Sequence, residues 1–167
     1  MMKRHQFGTL RVLLVSGGNH TTHTLRSVLA MAGITGIETT PTSARALALL
    51  EQERFDAVFC HDDCDAVDGQ PLALAVRRGA GVLDPLVPLF VFHEQARRCA
   101  VEAARDNGAT DYLTCPISPR TVMEKLERAI ANPTPFIKAP DYFGPDRRAT
   151  VRPPFGGEES EAAPPAR

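Results

Sequence analysis

The chain has 167 residues, of which 43% are hydrophobic and 23% charged, and its formal net charge is −1 at pH 7. That length allows one domain with a full core plus a tail, and the near-neutral charge excludes bulk electrostatic attraction to nucleic acid or to a membrane surface. No apolar run approaches the ~20 residues needed to span a bilayer. The run Leu10 to Val15 is too short for a secretory signal and is broken by Ser16-Gly17-Gly18-Asn19. The protein is therefore expected in the cytosol, with Cys60, Cys64, Cys99 and Cys115 as thiols. They form no Cys-x-x-Cys pair of the zinc-ribbon or thioredoxin kind.

Short apolar runs alternate with helix-period segments over residues 10–131. Leu10 to Val15 is a near-continuous apolar run of strand length, as expected for a strand covered on both faces. Leu25, Val28, Leu29 and Ala32 then recur at helix spacing, closed by Gly33 and Gly36. Ile37 to Thr40 reads as a strand, Ser43 to Glu53 as an Ala/Leu-rich helix, and Ala57 to Cys60 as a buried strand. A loop from Asp62 to Gly69 leads to a helix over Pro71 to Arg78, stopped by Gly79-Ala80-Gly81. Leu86 to Phe92 reads as a strand, Glu94 to Asn107 as a helix stopped at Asn107-Gly108, and Tyr112-Leu113 as a short strand. Ser118 and Pro119 open a last helix whose apolar face is Val122, Leu126, Ala129 and Ile130.

This alternation predicts an α/β domain with a parallel sheet. Right-handed crossovers restrict its topology, and the flavodoxin-like doubly wound sheet of five strands, order 2-1-3-4-5, suits the length. Residues 1–9 are then an N-terminal extension. From Asn132 onward apolar periodicity stops, and this stretch holds more than half of the 14 prolines. Residues 132–167 are expected to be an extended or disordered tail. Phe143-Gly144-Pro145-Asp146 has a faint echo in Phe155-Gly156-Gly157-Glu158.

The segment Gly108-Ala109-Thr110-Asp111-Tyr112-Leu113-Thr114-Cys115-Pro116-Ile117 resembles the closing signature of CheY-like response-regulator receiver domains. Pro88 to His93 resembles that family's fourth strand, Phe55 to His61 with Asp68-Gly69 its third strand and loop, and Val12 to Asn19 its first strand and loop. The resemblance spans roughly residues 10–131 and implies a role in bacterial two-component phosphorelay signalling. It also shows what has been replaced. Ser16 and Gly17 stand where an acidic pair belongs, and His61 where the phospho-accepting aspartate belongs. His93 takes the place of a Thr or Ser, and Cys115 that of a lysine.

Phosphoryl transfer to a carboxylate requires a Mg²⁺ clamp and cationic help, and Mg²⁺ takes hard oxygen ligands. Ser16, Gly17, His61, His93 and Cys115 together remove metal, nucleophile and charge partner. The expectation is a non-catalytic pseudo-receiver, with no Mg²⁺ and no enzymatic activity, acting through contacts with another signalling protein or a second copy of itself. DNA and membrane are not expected as partners. A conventional receiver would need Asp62 to enter the pocket, and a one-residue slip that reverses every face of a strand argues against that.

Two other readings stay open. His61, His93 and Cys115 converge at the strand ends in the family fold and would suit Zn²⁺ or another transition metal in a metal or redox sensor. Alternatively, Arg147 and Arg148, within a Gly-Pro-Asp-Arg-Arg segment, and Arg152 resemble the arginine-bearing segments through which some CheY-like proteins bind cyclic di-GMP. For protein partners, the resemblance points to Tyr112, at the family's aromatic switch position, and to Arg97, Arg98 and Lys125, with Arg105 and Arg128 nearby.

Overall fold

The computed structural model describes residues 7–18, 20–64, 70–79, 81–95, 97–140 and 142–146. Five parallel strands, β1 (Arg11–Val15), β2 (Gly36–Thr40), β3 (Ala57–His61), β4 (Leu89–His93) and β5 (Asp111–Thr114), form one sheet in the order β2-β1-β3-β4-β5. Helices α1 (His20–Met31), α2 (Ser43–Gln52), α3 (Leu72–Arg77), α4 (Arg98–Asp106) and α5 (Pro119–Ala131) alternate with them. This is the expected flavodoxin-like topology.

The period of two along each strand divides the core. Val12, Leu14, Phe59, Phe90 and Phe92 join Leu25 and Leu29 of α1 and Val122 and Leu126 of α5. Leu13, Val15, Val58, Val91 and Tyr112 join Leu50 of α2 and Leu72 and Val76 of α3 on the other side. Phe59 and Phe90 stack across β3 and β4 with centroids 4.8 Å apart. In-register pairing of Val15 with Cys60 and of His61 with Phe92 aligns the carboxyl ends of the central strands. The loops that leave those ends form one rim.

Element boundaries differ from expectation where local chemistry intervenes. β4 begins at Leu89, not Leu86, because Pro85 and Pro88 lie in the approach and Pro88 has no amide to give a ladder. α4 begins at Arg98, not Glu94, since Glu94 and Gln95 are drawn into a bend beside His93. Phe7, expected in an N-terminal extension, is buried against the α1/α5 side of the core.

The largest departure lies after α5. Residues 136–145, expected to be part of an extended or disordered tail, form an antiparallel hairpin of β6 (Phe136–Ala139) and β7 (Tyr142–Pro145). It docks at the amino end of β5. Arg77, only 2% exposed, donates from Nε to the Gly108 carbonyl (3.0 Å) and from Nη1 to the carbonyls of Pro85 (2.7 Å) and Val87 (2.8 Å). Its guanidinium lies 4.9 Å from the centre of the Phe136 ring. Burial lowers its pKa to about 10, partly offset by Asp84, so it stays cationic at neutral pH.

Gly108, at φ +90°, and Gly144 let the two backbones approach. A Cβ on Gly144 would lie 2.9 Å from the Gly108 Cα and 2.5 Å from the Tyr142 hydroxyl, which itself donates to the Pro145 carbonyl (3.0 Å). Gly144→Ala is therefore expected to loosen the hairpin and cost about 1–3 kcal/mol in chemical denaturation. Faster amide exchange confined to residues 136–146 is the accompanying sign.

Candidate functional site

The rim at the carboxyl ends of β1, β3, β4 and β5 carries the five positions singled out from the sequence, but it does not bring them into one cluster. Ser16 is buried at the end of β1, where its hydroxyl hydrogen-bonds with that of Thr22 on α1. Its backbone amide donates to the Thr40 carbonyl (2.9 Å). It thus ties the β1–α1 loop. Gly17 is exposed, and a Cβ there would meet nothing within 4 Å.

His61 is the last residue of β3 and 1% exposed. Strand alternation turns its ring to the α1/α5 side, edge-on to Phe92 with centroids 5.1 Å apart. The Asp63 amide donates to Nδ1 (3.2 Å), which leaves Nε2 to carry the proton and donate to Glu94 Oε2 (3.2 Å). Glu94 Oε1 accepts from the Thr21 hydroxyl of α1 (2.6 Å). A Thr21–Glu94–His61 chain therefore bridges α1, β4 and β3.

Glu94 is held at a pKa of about 2, chiefly by the Thr21 hydroxyl, with help from its own backbone amide and from His61 against a smaller opposing effect of burial. It is anionic through the physiological range. Its lowered pKa adds stability that is fully present above the ordinary carboxylate value of 4.5 and fades as pH falls through about 2. Thr21→Val is expected to return the Glu94 titration most of the way to that ordinary value, read from its side-chain carboxyl carbon by NMR.

His93 ends β4 with its ring 5.3 Å from that of His61, centre to centre. Its Nδ1 lies 2.9 Å from both the amide and the carbonyl of Gln95. Its Nε2 faces Asp63 Oδ1 (3.8 Å) and Glu94 Oε2 (3.7 Å). Donor atoms of His61, Asp63 and His93 all lie within 4.8 Å of one another.

Cys115 does not join them. Its sulfur lies 3.8 Å from the Thr21 hydroxyl, so the expected His61–His93–Cys115 set is replaced by His61–Asp63–His93. Cys64 packs against the core on the α2 side. Asp62 sits past the strand in a single 3-10 turn, Asp62–Cys64, with its carboxylate 3.5 Å from the Tyr112 hydroxyl. Glu94 was missed as a pocket residue because the pattern placed it at the start of a helix. Asp63 falls inside the loop expected from Asp62 to Gly69, to which the pattern assigns no role. Acidic residues directly after His61 and His93, at two neighbouring strand ends, were the available signal.

The positions that would supply oxygen ligands from β1 and β3 present a tied hydroxyl, a glycine and an imidazole, whereas Mg²⁺ demands near-octahedral oxygen coordination.

The α4–β5–α5 face also differs from expectation. Tyr112 is buried in the core rather than laid on the surface. Arg97 and Arg98 are exposed at the start of α4, and Arg98 pairs with Glu102 (2.7 Å). A groove of about 250 Å³ does run along this face, lined by Arg105, Asp111, Tyr112, Lys125, Arg128 and Pro145 among others. Lys125 (2.7 Å) and Arg128 (3.1 Å) both pair with Asp111. The tail arginines Arg147, Arg148 and Arg152 lie outside the described residues, as does the second copy of the internal echo. Among the described residues, no helix is long and apolar enough to cross a membrane.

No protein-family model matches the sequence, and no curated protein matches it. Solved structures do. The receiver domain of the sensor histidine kinase PA1611 from Pseudomonas aeruginosa, solved with a magnesium ion in its active-site cleft, is 20% identical. It superposes with a TM-score of 0.64 over 74% of this chain and 98% of that domain. The signal receiver domain of a histidine kinase from Syntrophus aciditrophicus is 17% identical, with a TM-score of 0.63 over 79% of this chain and 99% of its own. The chemotaxis response regulator CheY4 of Vibrio cholerae is 24% identical, with a TM-score of 0.59 over 71% and 97%. Residues 10–131, with their five strands in the order 2-1-3-4-5, therefore have the fold of CheY-like response-regulator receiver domains.

Proposed function

We propose that this chain is an atypical receiver in bacterial signal transduction, one that takes no phosphoryl group by the Asp/Mg²⁺ route and acts through protein contacts. The observation that carries this reading is the state of the β3 terminus. A buried imidazole stands at the acceptor position and is hydrogen-bonded to Glu94, which in turn is bound by Thr21. An imidazole in that place has no carboxylate oxygen to attack a phosphorus centre. The Asp62 reading draws no support from the geometry, since that carboxylate lies beyond the strand beside Tyr112. The same reading assigns the chain no enzymatic activity.

Beryllofluoride with Mg²⁺ tests it, because this pair mimics a bound phosphoryl group in an acid-lined pocket. The expected result is an unchanged amide spectrum at Ser16, Gly17, His61 and Cys115. Saturable shifts at those amides would overturn the reading. For the output, the α4–β5–α5 groove is the favoured protein-contact surface. Partner capture from the native cytosol is expected to fail for Arg105→Glu/Arg128→Glu and to survive Arg98→Glu.

A second reading, cyclic di-GMP binding through Arg147, Arg148 and Arg152, is favoured by one observation. Pro145, two positions before Arg147, lines the same groove as Arg105, Lys125 and Arg128, and clustered guanidinium groups suit phosphodiesters. Titration of cyclic di-GMP into wild type and Arg147→Ala/Arg148→Ala decides it. Equal or absent binding removes the ligand.

A further inference from the structure

The strand-end rim discards the hard-oxygen set of a magnesium site and gathers a different one. We propose that His61, Asp63 and His93 form a binding site for a first-row transition-metal ion of the Zn²⁺ type, with Glu94 positioning His61. Imidazoles and a carboxylate are the donor chemistry such ions take, and three protein ligands leave a fourth position for water.

The geometry supplies more than proximity. His61 Nδ1 is 3.7 Å from Asp63 Oδ2, and His93 Nε2 is 3.8 Å from Asp63 Oδ1. Ligand atoms on a tetrahedral zinc ion stand about 3.4 Å apart, and the three donor atoms lie within 4.8 Å of one another, so the widest pair closes by at most about 1.4 Å on binding. Each imidazole is also held by its other nitrogen. His61 Nε2–H donates to Glu94 Oε2 (3.2 Å), which leaves the Nδ1 lone pair for a metal in place of the Asp63 amide. His93 Nδ1 lies 2.9 Å from both the Gln95 amide and the Gln95 carbonyl, so a metal on Nε2 selects the tautomer in which Nδ1 donates to the carbonyl in place of accepting from the amide. A carboxylate or backbone carbonyl on the far nitrogen is the support that metal-bound histidines receive in general. The three ligands come from the adjacent strands β3 and β4 and the turn after β3, so the fold has already met most of the cost of assembling them. Asp63 is exposed, which gives an ion a path in.

The test is Zn²⁺ titration of the untagged full-length protein by isothermal calorimetry, with Co²⁺ absorption reporting coordination. One equivalent of Zn²⁺ is expected, with a visible Co²⁺ band of tetrahedral intensity and no competition from millimolar Mg²⁺. Asp63→Ala and His93→Ala should each weaken binding by at least about 10–100-fold, and Glu94→Gln by about 10-fold or more. Asp63 is exposed, so loss of binding in Asp63→Ala with an unchanged thermal midpoint in the absence of metal is not a folding defect. His20→Ala/His23→Ala, which removes two histidines of α1, and Cys115→Ser should bind as wild type does. Substoichiometric binding, wild-type affinity in Asp63→Ala and His93→Ala, or loss on Cys115→Ser would each overturn the assignment. None of these outcomes alters the phosphoryl-transfer reading, which beryllofluoride tests separately.

Discussion

Arg77→Ala is expected to destabilise the domain by about 3–5 kcal/mol in urea denaturation, the largest effect of any single polar substitution proposed for this chain. The guanidinium is buried and donates to three carbonyls, those of Gly108, Pro85 and Val87, from two of its nitrogens. Its third nitrogen reaches the Thr110 hydroxyl (3.4 Å), which also accepts from the Leu89 amide (2.9 Å). Truncation opens a cavity the size of the side chain and strands these acceptors away from water. It also removes the surface on which Phe136 rests, so the β6–β7 hairpin is expected to lose amide-exchange protection together with the amino ends of β4 and β5. Arg77→Lys should recover only part of the loss, because one ammonium cannot span the fork of carbonyls. A cost below about 1 kcal/mol for Arg77→Ala would mean that water reaches these groups and that the hairpin is not anchored here.

The second large effect concerns metal choice. Gly17→Asp combined with His61→Asp is expected to confer magnesium binding that is not expected of the wild type. A Cβ at Gly17 meets nothing within 4 Å, so a carboxylate fits there without repacking. At position 61 the substitution replaces a ring packed against Phe92 with the acid that receiver domains carry, beside Glu94. The double variant should be less stable than wild type without metal, by about 1–3 kcal/mol, because it loses that ring packing and sets a buried carboxylate beside another acid. Saturating Mg²⁺ should then return on the order of 1 kcal/mol, a rise in thermal midpoint of about 2–4 °C, and leave the wild type unmoved. A magnesium-dependent rise of the same size in the wild type would show that the native rim already holds the ion.

Much of the fold was legible because its signals are local and redundant. Val12 to Val15 is covered on both faces, so the run reads as a parallel strand without knowledge of its neighbours. His61 and His93 could be placed at strand ends because the resemblance to receiver domains puts them directly after the apolar runs that end at Cys60 and Phe92.

What was not legible depends on side-chain direction across elements. Arg77, in the last turn of a short amphipathic helix, has the pattern of a solvated cation, yet packing turns it inward beneath the hairpin. The hairpin itself has no apolar alternation to announce it. Its order comes from Gly108 and Gly144 meeting and from Phe136 on a buried guanidinium. Tyr112 reads as a surface aromatic because of its place in the motif, but β5 aims it into the α2/α3/α4 side of the core. Cys115 converges on the rim as the fold requires, yet its sulfur turns toward Thr21, while Asp63, two residues past His61, and Glu94, one residue past His93, take up the imidazoles.

The central claim is that the strand-end pocket has lost phosphoryl chemistry. It is tested most directly by intact-mass spectrometry of the full chain after incubation with acetyl phosphate and Mg²⁺, with fragmentation to place any adduct. No adduct is expected, and the spectrum should match that of protein incubated with Mg²⁺ alone. A magnesium-dependent gain of one phosphoryl group, located on Asp62 or Asp63 and abolished by the matching Asp→Asn substitution, would contradict it.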